Sequence, residues 1–191
     1  MKRTLIVIAL IAALIAPVWA QNEGKTPDGF EWYSDGNGIA ILGYNGTALA
    51  VRIPDRINNL PVVRIGSAAF QPGLSEVNTL GITSVVIPNT VTMIGESAFR
   101  NQSNLTSVTL PTSLVEIGGN AFSGCTALTS ISLPASIRTI GTYAFRNCTA
   151  LTTVTIPASV TRITFGANAF TGVTNLNAVS VATLQRVGYV F

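Results

Sequence analysis

A short motif recurs at a fixed spacing of 23 residues through the centre of this 191-residue chain. In each regular copy an aliphatic residue followed by Pro leads to an Ile-Gly pair and then to an Ala-Phe pair. The regular copies begin at Ile87, Leu110 and Leu133. A fixed period of this length is typical of repeat proteins, in which no single unit can bury its apolar side chains without a neighbour. The repeat therefore predicts a solenoid.

Two altered copies flank the regular ones. The upstream copy begins at Ile53 and carries extra residues at 55–63 and between Gln71 and Ile82. The downstream copy begins at Ile156, and Ile163 stands at the position of the repeated Ile. Two residues around 164–168 are extra when this copy is aligned with the regular ones. Leu176 and Val179 then continue the pattern. Insertions in a solenoid loop out while the core register is kept, so we expect about five coils.

The residues of one coil predict a short strand. Segment 105–110 reads Leu-Thr-Ser-Val-Thr-Leu, so its apolar side chains face inward and its hydroxyl side chains face outward. Pro111 ends the strand because Pro has no N–H to donate. Val, Ile and Thr are abundant and only 10% of residues are charged, which favours strands over helices. We predict a mainly β solenoid of about five 23-residue coils with short strands and turns.

One Phe recurs in every coil. Stacking the coils at about 4.8 Å would align these rings into an internal ladder. The residues are Phe70, Phe99, Phe122, Phe145 and Phe170. We expect Phe122→Ala in the middle coil to destabilise the protein more than Phe70→Ala at the edge, because truncating a buried Phe leaves a cavity.

The first twenty residues predict a signal peptide. Lys2 and Arg3 precede an apolar run at 5–16, and small residues stand before a cleavage site after Ala20. The alternative, an uncleaved anchor, needs a longer run of about 20 apolar residues. We expect an exported protein, at the cell surface or secreted, with the periplasm as an alternative. The predicted organisation is a signal peptide at 1–20, an N-terminal cap at 21–50, the solenoid at 51–182 and a tail or last strand at 183–191.

Charge and motifs argue against several functions. Without Lys2 and Arg3 the chain has nine bases and eight acids, and no basic stripe with interleaved aromatics predicts nucleic-acid binding. The chain has no His, which removes the commonest general base and metal ligand. Phosphate-binding Gly-rich motifs and Cys-x-x-Cys are also missing. We therefore expect no enzyme, no cofactor, no metal site and no stable membrane span after cleavage.

The recurring Ile-Pro, Ile-Gly, Ala-Phe and Leu positions at 23-residue spacing resemble the BspA-like, or treponemal-type, leucine-rich repeat. The resemblance covers roughly residues 51–182. It implies a solenoid at the bacterial surface or secreted, engaged in adhesion or in binding host components. A scaffold does not by itself fix a function, so the ligand is not implied.

Three rows of Ser and Thr are expected on the outer face of the strands. Such a face is a candidate surface for a protein or glycan partner, although exposed strands also favour Thr for its propensity alone. The candidate residues are Thr106, Ser107, Thr109, Thr129, Ser130, Ser132, Thr152, Thr153 and Thr155.

Cys125 and Cys148 occupy equivalent positions one coil apart. Neighbouring strands bring Cα atoms within the roughly 4.4 to 6.8 Å that a disulfide needs, and export permits one. The preceding coil has Ser103 or Asn104 near this position, and a small buried side chain is usual there in such repeats. Both states, buried thiols and a disulfide, remain open.

Both ends of the chain are also informative. Acidic and aromatic residues before the first coil suit an N-terminal cap, or alternatively a carbohydrate platform or a carboxylate pair; they are Asp28, Glu31, Trp32, Tyr33 and Asp35. The C-terminal stretch from Val181 to Phe191 is apolar and lacks a polar cap. An uncovered last coil would expose a strand edge, which makes self-association through the terminal coils an alternative function.

Overall fold

The computed structural model describes residues 22–73 and 81–191. The predicted signal peptide, and most of the insertion between Gln71 and Ile82, lie outside the described residues. Fourteen strands and one α-helix form within them. Their bounds are β1 Glu23–Lys25, β2 Phe30–Ser34, β3 Ile39–Tyr44, β4 Ala50–Arg52, β5 Arg56–Ile57, β6 Leu60–Ile65, β7 Ser84–Val86, β8 Met93–Ile94, β9 Ser107–Thr109, β10 Glu116–Ile117, β11 Ser130–Ser132, β12 Thr139–Ile140, β13 Thr153–Thr155, β14 Thr164–Phe165 and α1 Ala178–Arg186.

The strands line two sides of a solenoid. The long sheet has the order β1-β2-β3-β6-β8-β10-β12-β14, with β5 beside β6. The short sheet lies on the other side and consists of β4-β7-β9 and β11-β13, with β9 and β11 as neighbours. Pairing is parallel throughout the short sheet and from β3 onward along the main path of the long sheet. The predicted mainly β solenoid of about five coils is confirmed.

The repeated Phe side chains form a continuous stack inside the solenoid. Successive ring centroids from Phe70 to Phe170 are 4.8, 5.2, 5.4 and 5.0 Å apart, and neighbouring rings are tilted by no more than 14°. Tyr44 extends the stack at the N-terminal end, 5.6 Å from Phe70. The expected ladder is therefore observed, but Phe70 is not its edge. Phe70 and Phe122 are equally buried.

A glycine follows the strand of the long sheet in each coil because consecutive backbones approach closely there. A Cβ added to Gly95 or Gly118 would lie 2.8 Å from backbone atoms of the preceding coil, and at Gly141 the distance would be 2.4 Å. Side-chain carbons do not come this close to backbone atoms without displacing them. The Ile-Gly pairs of the repeat therefore mark positions where only hydrogen fits.

The last coil has a different register from the one expected. Thr139 pairs with Thr164 and Ile140 pairs with Phe165, so Phe165 and not Ile163 occupies the position of the repeated Ile. The two added residues consequently lie before β14, and their placement around 164–168 was wrong. Ile163 instead donates its backbone N–H to the carbonyl of Val187 at 3.0 Å. This contact connects the last coil to the C-terminal segment.

The C-terminal segment is a helical cap. The expectation of a last strand at 183–191 was wrong, because α1 spans Ala178–Arg186. The helix begins within the range 51–182 that was assigned to the solenoid, and Val179 is 75% exposed on its outer side instead of filling a coil position. Asn177 caps the helix by accepting a hydrogen bond from the N–H of Ser180 at 2.8 Å. Gly188, with φ of 102°, follows its end.

The helix covers the end of the short sheet. Ser180 accepts a hydrogen bond from the N–H of Val154 in β13 at 2.9 Å, and Arg186 donates to the carbonyl of Val160 at 2.6 Å. Leu184 and Val187 are buried against the last coil. The last strand of the short sheet is thus covered, and the expectation of an end without a polar cap was wrong. The uncovered strand edge that suggested self-association is therefore not present at this end, whereas Val179, Val190 and Phe191 remain exposed on the cap.

An antiparallel meander precedes the first coil. β1 pairs with β2 and β2 pairs with β3, both antiparallel, whereas β3 joins β6 in parallel and so connects the meander to the solenoid. Phe30, Trp32 and Tyr44 are buried beneath it. These aromatic side chains cover the first coil, as the N-terminal cap interpretation of this segment expects.

Candidate functional site

The polar face is the outward surface of β9, β11 and β13 and of the Thr residue just before each strand. The pairing places Ser130 beside Thr153 and Ser132 beside Thr155, while the inward residues Ile131 and Val154 are buried between them. All nine predicted residues therefore occur together on one surface. They are Thr106, Ser107, Thr109, Thr129, Ser130, Ser132, Thr152, Thr153 and Thr155.

The hydroxyl groups of the polar face are not equivalent. Thr106 Oγ1 donates to the carbonyl of Thr83 at 2.9 Å, and Thr152 Oγ1 donates to that of Thr129 at 3.2 Å. These hydrogen bonds join neighbouring coils, so the hydroxyls of Thr106 and Thr152 stabilise the solenoid. Ser132 and Thr155 hydrogen-bond each other at 2.5 Å.

The remaining hydroxyls define the candidate contact area. Ser107, Thr109, Thr129 and Ser130 are exposed on the polar face. Each hydroxyl can both donate and accept a hydrogen bond. β9, β11 and β13 carry no charged side chain. The chemistry of this surface suits a neutral, hydrogen-bonding ligand surface, such as a glycan or the polar area of a protein.

The polar face is bordered differently at the two ends of the short sheet. The row that contains Thr109, Ser132 and Thr155 continues through Val86 to Arg52 at the N-terminal end of the short sheet. At the C-terminal end, Asn177 Nδ2 donates to Thr153 Oγ1 at 3.3 Å. The polar face is thus bounded by a cation on one side and by the cap of α1 on the other.

Cys125 and Cys148 are both free and buried. Cys125 donates its thiol hydrogen to the carbonyl of Phe99 at 3.2 Å, and Cys148 donates to that of Phe122 at 3.1 Å. Burial raises the pKa of the Cys125 thiol well above its ordinary value and raises the pKa of Cys148 to about 12. Of the two states left open by the sequence, the structure has the buried thiols. They support the coil and form no reactive site.

Gln102 occupies the Cys position in the preceding coil, which corrects the assignment to Ser103 or Asn104. Its side chain is buried, its Nε2 donates to the carbonyl of Phe70, and its Oε1 accepts from the N–H of Ile82 at 2.9 Å. Gln102 thus replaces the thiol donor and satisfies one further backbone group. The 23-residue spacing from Cys125 is the signal that locates it in the sequence.

The acidic residues near the N-terminus do not form a common site. Glu31 Oε1 accepts a hydrogen bond from Asn45 Nδ2 at 2.8 Å. Asp35 accepts from the N–H groups of Asn37 and Gly38 in a tight turn, and these hydrogen bonds lower the pKa of Asp35. Trp32 is buried and cannot serve as an exposed carbohydrate platform. These side chains therefore belong to the structure of the cap.

Within residues 22–73 and 81–191, no group of three or more His, Cys, Asp or Glu side chains is arranged to hold a metal ion. In the same residues, no helix combines the length and the apolar character needed to cross a membrane.

The fold and the polar face define a leucine-rich repeat solenoid, a class typical of binding modules without catalytic activity. The family model described as "BspA type Leucine rich repeat region" matches residues 63–190 in six copies. The chain belongs to this family. A comparison with curated proteins finds no match.

Solved bacterial structures share the fold. The Treponema pallidum leucine-rich repeat protein TpLRR is 24% identical with a TM-score of 0.50, and the alignment covers 91% of this chain and 96% of that one. A leucine-rich cell surface protein of Faecalibacterium prausnitzii is 25% identical with a TM-score of 0.58, over 81% and 53% of the two chains. The pneumococcal vaccine antigen PcpA is 23% identical with a TM-score of 0.67, over 81% and 43%.

Proposed function

We propose that the protein is an exported binding module that holds a protein or glycan partner on its polar face. The observation that carries this proposal is the uncharged surface of Ser107, Thr109 and Ser130, held flat by strands that are fixed from beneath by buried residues. A rigid surface binds with little ordering cost, so modest hydrogen bonds can contribute to affinity. The family resemblance supports adhesion or binding of host components as the biological setting.

Export rests on the first twenty residues and on the family. The basic pair Lys2 and Arg3 and the apolar run at 5–16 have the order of a signal peptide. The structurally similar Faecalibacterium prausnitzii protein is described as a cell surface protein. We place this chain at the cell surface or in the secreted fraction. Protease added to intact cells should degrade it there; protection until the outer envelope is opened would instead assign it to the periplasm.

The binding surface can be tested by site-specific photo-crosslinking. A benzoylphenylalanine placed at Ser107 or Ser130 should form covalent adducts with a partner from envelope or host-matrix extracts. The same group at Thr139 or Thr164, on the long sheet, is the matched control. Adducts are expected from the polar face alone.

The adducts also show whether the partner is a protein or a glycan. A protein partner gives discrete bands that disappear after proteolysis, and a glycan gives adducts that are sensitive to glycosidases. Adducts of equal yield from both sheets, or adducts from neither, would contradict the proposal that the polar face is the binding surface.

A further inference from the structure

The two ends of the short sheet are covered differently. At the C-terminal end, α1 lies over β13, and Ser180 accepts the N–H of Val154. At the N-terminal end, the order β4-β7-β9 leaves β4 as an edge strand. The N-terminal meander joins the long sheet and not the short one. Among the described residues, no strand pairs with the outer edge of β4.

The register identifies which backbone groups of β4 are available. The carbonyl of Leu49 accepts the N–H of Thr83, and the N–H of Ile53 donates to the carbonyl of Val86. In a parallel pair, alternate residues face the partner strand, so residues 49, 51 and 53 face β7. The N–H and C=O groups of Ala50 and Arg52 therefore face the outer edge. Native proteins usually cover such an edge or use it for pairing.

A cleft of about 570 Å³ lies along this edge. Residues of β4 form one side, and segments 27–30 and 44–48 form the other. The second side is firmly built, because the N–H of Asn45 donates to the carbonyl of Gly29 at 3.0 Å and the Tyr44 hydroxyl donates to that of Ala48 at 3.2 Å. The cleft therefore has the open edge of β4 on one side and a hydrogen-bonded wall on the other.

The charged side chains that line the cleft are unequal in number. Lys25 and Arg52 line the cleft together with Asp28, so cations outnumber anions there.

We propose that this cleft binds an extended peptide with acidic side chains, which adds to β4 as a further strand. Backbone hydrogen bonds to Ala50 and Arg52 supply affinity, as in other cases of strand addition to a sheet edge. Lys25 and Arg52 select acidic side chains. The site is separate from the hydroxyl groups at the centre of the polar face and does not depend on their function.

The probe for the test is a fluorescein-labelled hexapeptide of sequence Thr-Glu-Val-Glu-Val-Thr, titrated with residues 21–191 in fluorescence anisotropy. Saturable binding is expected. Two further peptides carry N-methyl groups on one or the other set of alternate amides. Because alternate residues face β4, one methylated peptide should lose roughly tenfold or more in affinity and the other should bind as the parent.

Two protein variants test the site itself. Ala50→Pro removes an outward N–H without removing a hydrogen bond to β7, and should weaken binding roughly fivefold. Arg52→Glu should weaken binding of the acidic peptide and strengthen binding of the analogue with Lys in place of Glu, which keeps the test valid if Ala50→Pro does not fold. Arg162→Glu, at an exposed position in the last coil, is the matched control and should bind as wild type.

Several results would overturn this proposal. They are the absence of saturation at millimolar peptide, equal binding of both methylated peptides, or unchanged binding and charge preference in Arg52→Glu. A wild-type dimer in analytical ultracentrifugation that Ala50→Pro converts to a monomer would also overturn it, because a second copy of the chain would then occupy the edge.

Discussion

The hydroxyl of Tyr189 accepts a hydrogen bond from the backbone N–H of Phe170 at 3.1 Å. In the preceding coils, the N–H of each repeated Phe donates to the carbonyl of an Ala in the next coil; Phe145, for example, donates to Ala169 at 2.7 Å. Phe170 has no following coil. Tyr189 therefore replaces the missing carbonyl, and its ring packs edge-on against Phe170 with centroids 5.2 Å apart.

Tyr189→Phe tests this cap. The change keeps the ring but leaves the N–H of Phe170 buried without an acceptor, so the free energy of unfolding should fall by about 1 to 3 kcal/mol. Urea denaturation followed by circular dichroism measures the change. Tyr33→Phe, at a half-exposed position, should leave the midpoint unchanged. Equal midpoints for the two variants would show that the hydroxyl of Tyr189 does not stabilise the end.

The Phe stack makes a second prediction. Phe70 and Phe122 each lie between two aromatic rings and are equally buried, because Tyr44 continues the stack beyond Phe70. Either Phe→Ala substitution should therefore cost about 3 to 5 kcal/mol. The difference between the two urea midpoints should be small. A much milder effect of Phe70→Ala would restore the original expectation that this residue is at the edge.

Gln102 makes a third prediction. Gln102→Leu replaces the buried amide by an apolar side chain and leaves the carbonyl of Phe70 and the N–H of Ile82 without their partner. The expected loss of stability is about 2 to 4 kcal/mol. Gln102→Cys should recover part of it, since a thiol can donate to Phe70 as the thiol of Cys125 donates to Phe99. The exposed Gln185→Leu is the control; if all three variants unfold at the same urea concentration, the two hydrogen bonds contribute nothing.

The buried thiols predict a decline of stability at high pH. Burial raises the pKa of Cys148 from 9.0 to about 12, so the unfolded chain loses this proton at lower pH than the folded one. The contribution of the Cys148 thiol to the free energy of unfolding is fully present below pH 9. It is lost as pH rises toward 12, by about 1.4 kcal/mol per pH unit once the thiol of the unfolded chain ionises.

Urea midpoints at about pH 8 and about pH 10.5 measure this decline. Wild type should lose more stability than Cys148→Ala, while tyrosine titration affects both proteins alike. Parallel losses would contradict the assignment to the thiol. Mass spectrometry of the unreduced protein should independently give the mass of two free thiols.

The sequence predicted those features that repeat and missed those that occur once. The spacing of Phe, Gly and Leu located the core, because every coil solves the same packing problem. It misplaced Phe165, since Ile163 stands 23 residues after Ile140 and is apolar, whereas Phe165, which pairs with Ile140, stands 25 residues after it. It missed α1, because Leu176 and Val179 continue the repeat spacing even though Asn177 and Gly188 are typical helix-terminus residues.

The placement of the candidate residues was predicted in part. The outward position of the Ser and Thr residues follows from strand alternation, and the structure places them on one surface. The hydroxyls of Thr106 and Thr152 form hydrogen bonds between coils. The sequence does not show which hydroxyls do so, because this depends on the distance between neighbouring backbones. The edge of β4 depends on how the N-terminal meander joins the solenoid, which is a three-dimensional relationship with no local sequence pattern.

The most direct test of the binding proposal compares how much partner is captured by two charged variants of the protein. Ser107→Glu combined with Ser130→Glu places two carboxylates at the centre of the polar face without altering a buried residue. Thr139→Glu combined with Thr164→Glu makes the same change of charge on the long sheet. With each protein immobilised at equal density, we expect the partner captured by wild type to be retained by the long-sheet variant and lost from the polar-face variant. Equal capture by both variants would contradict the claim that the protein binds through its polar face.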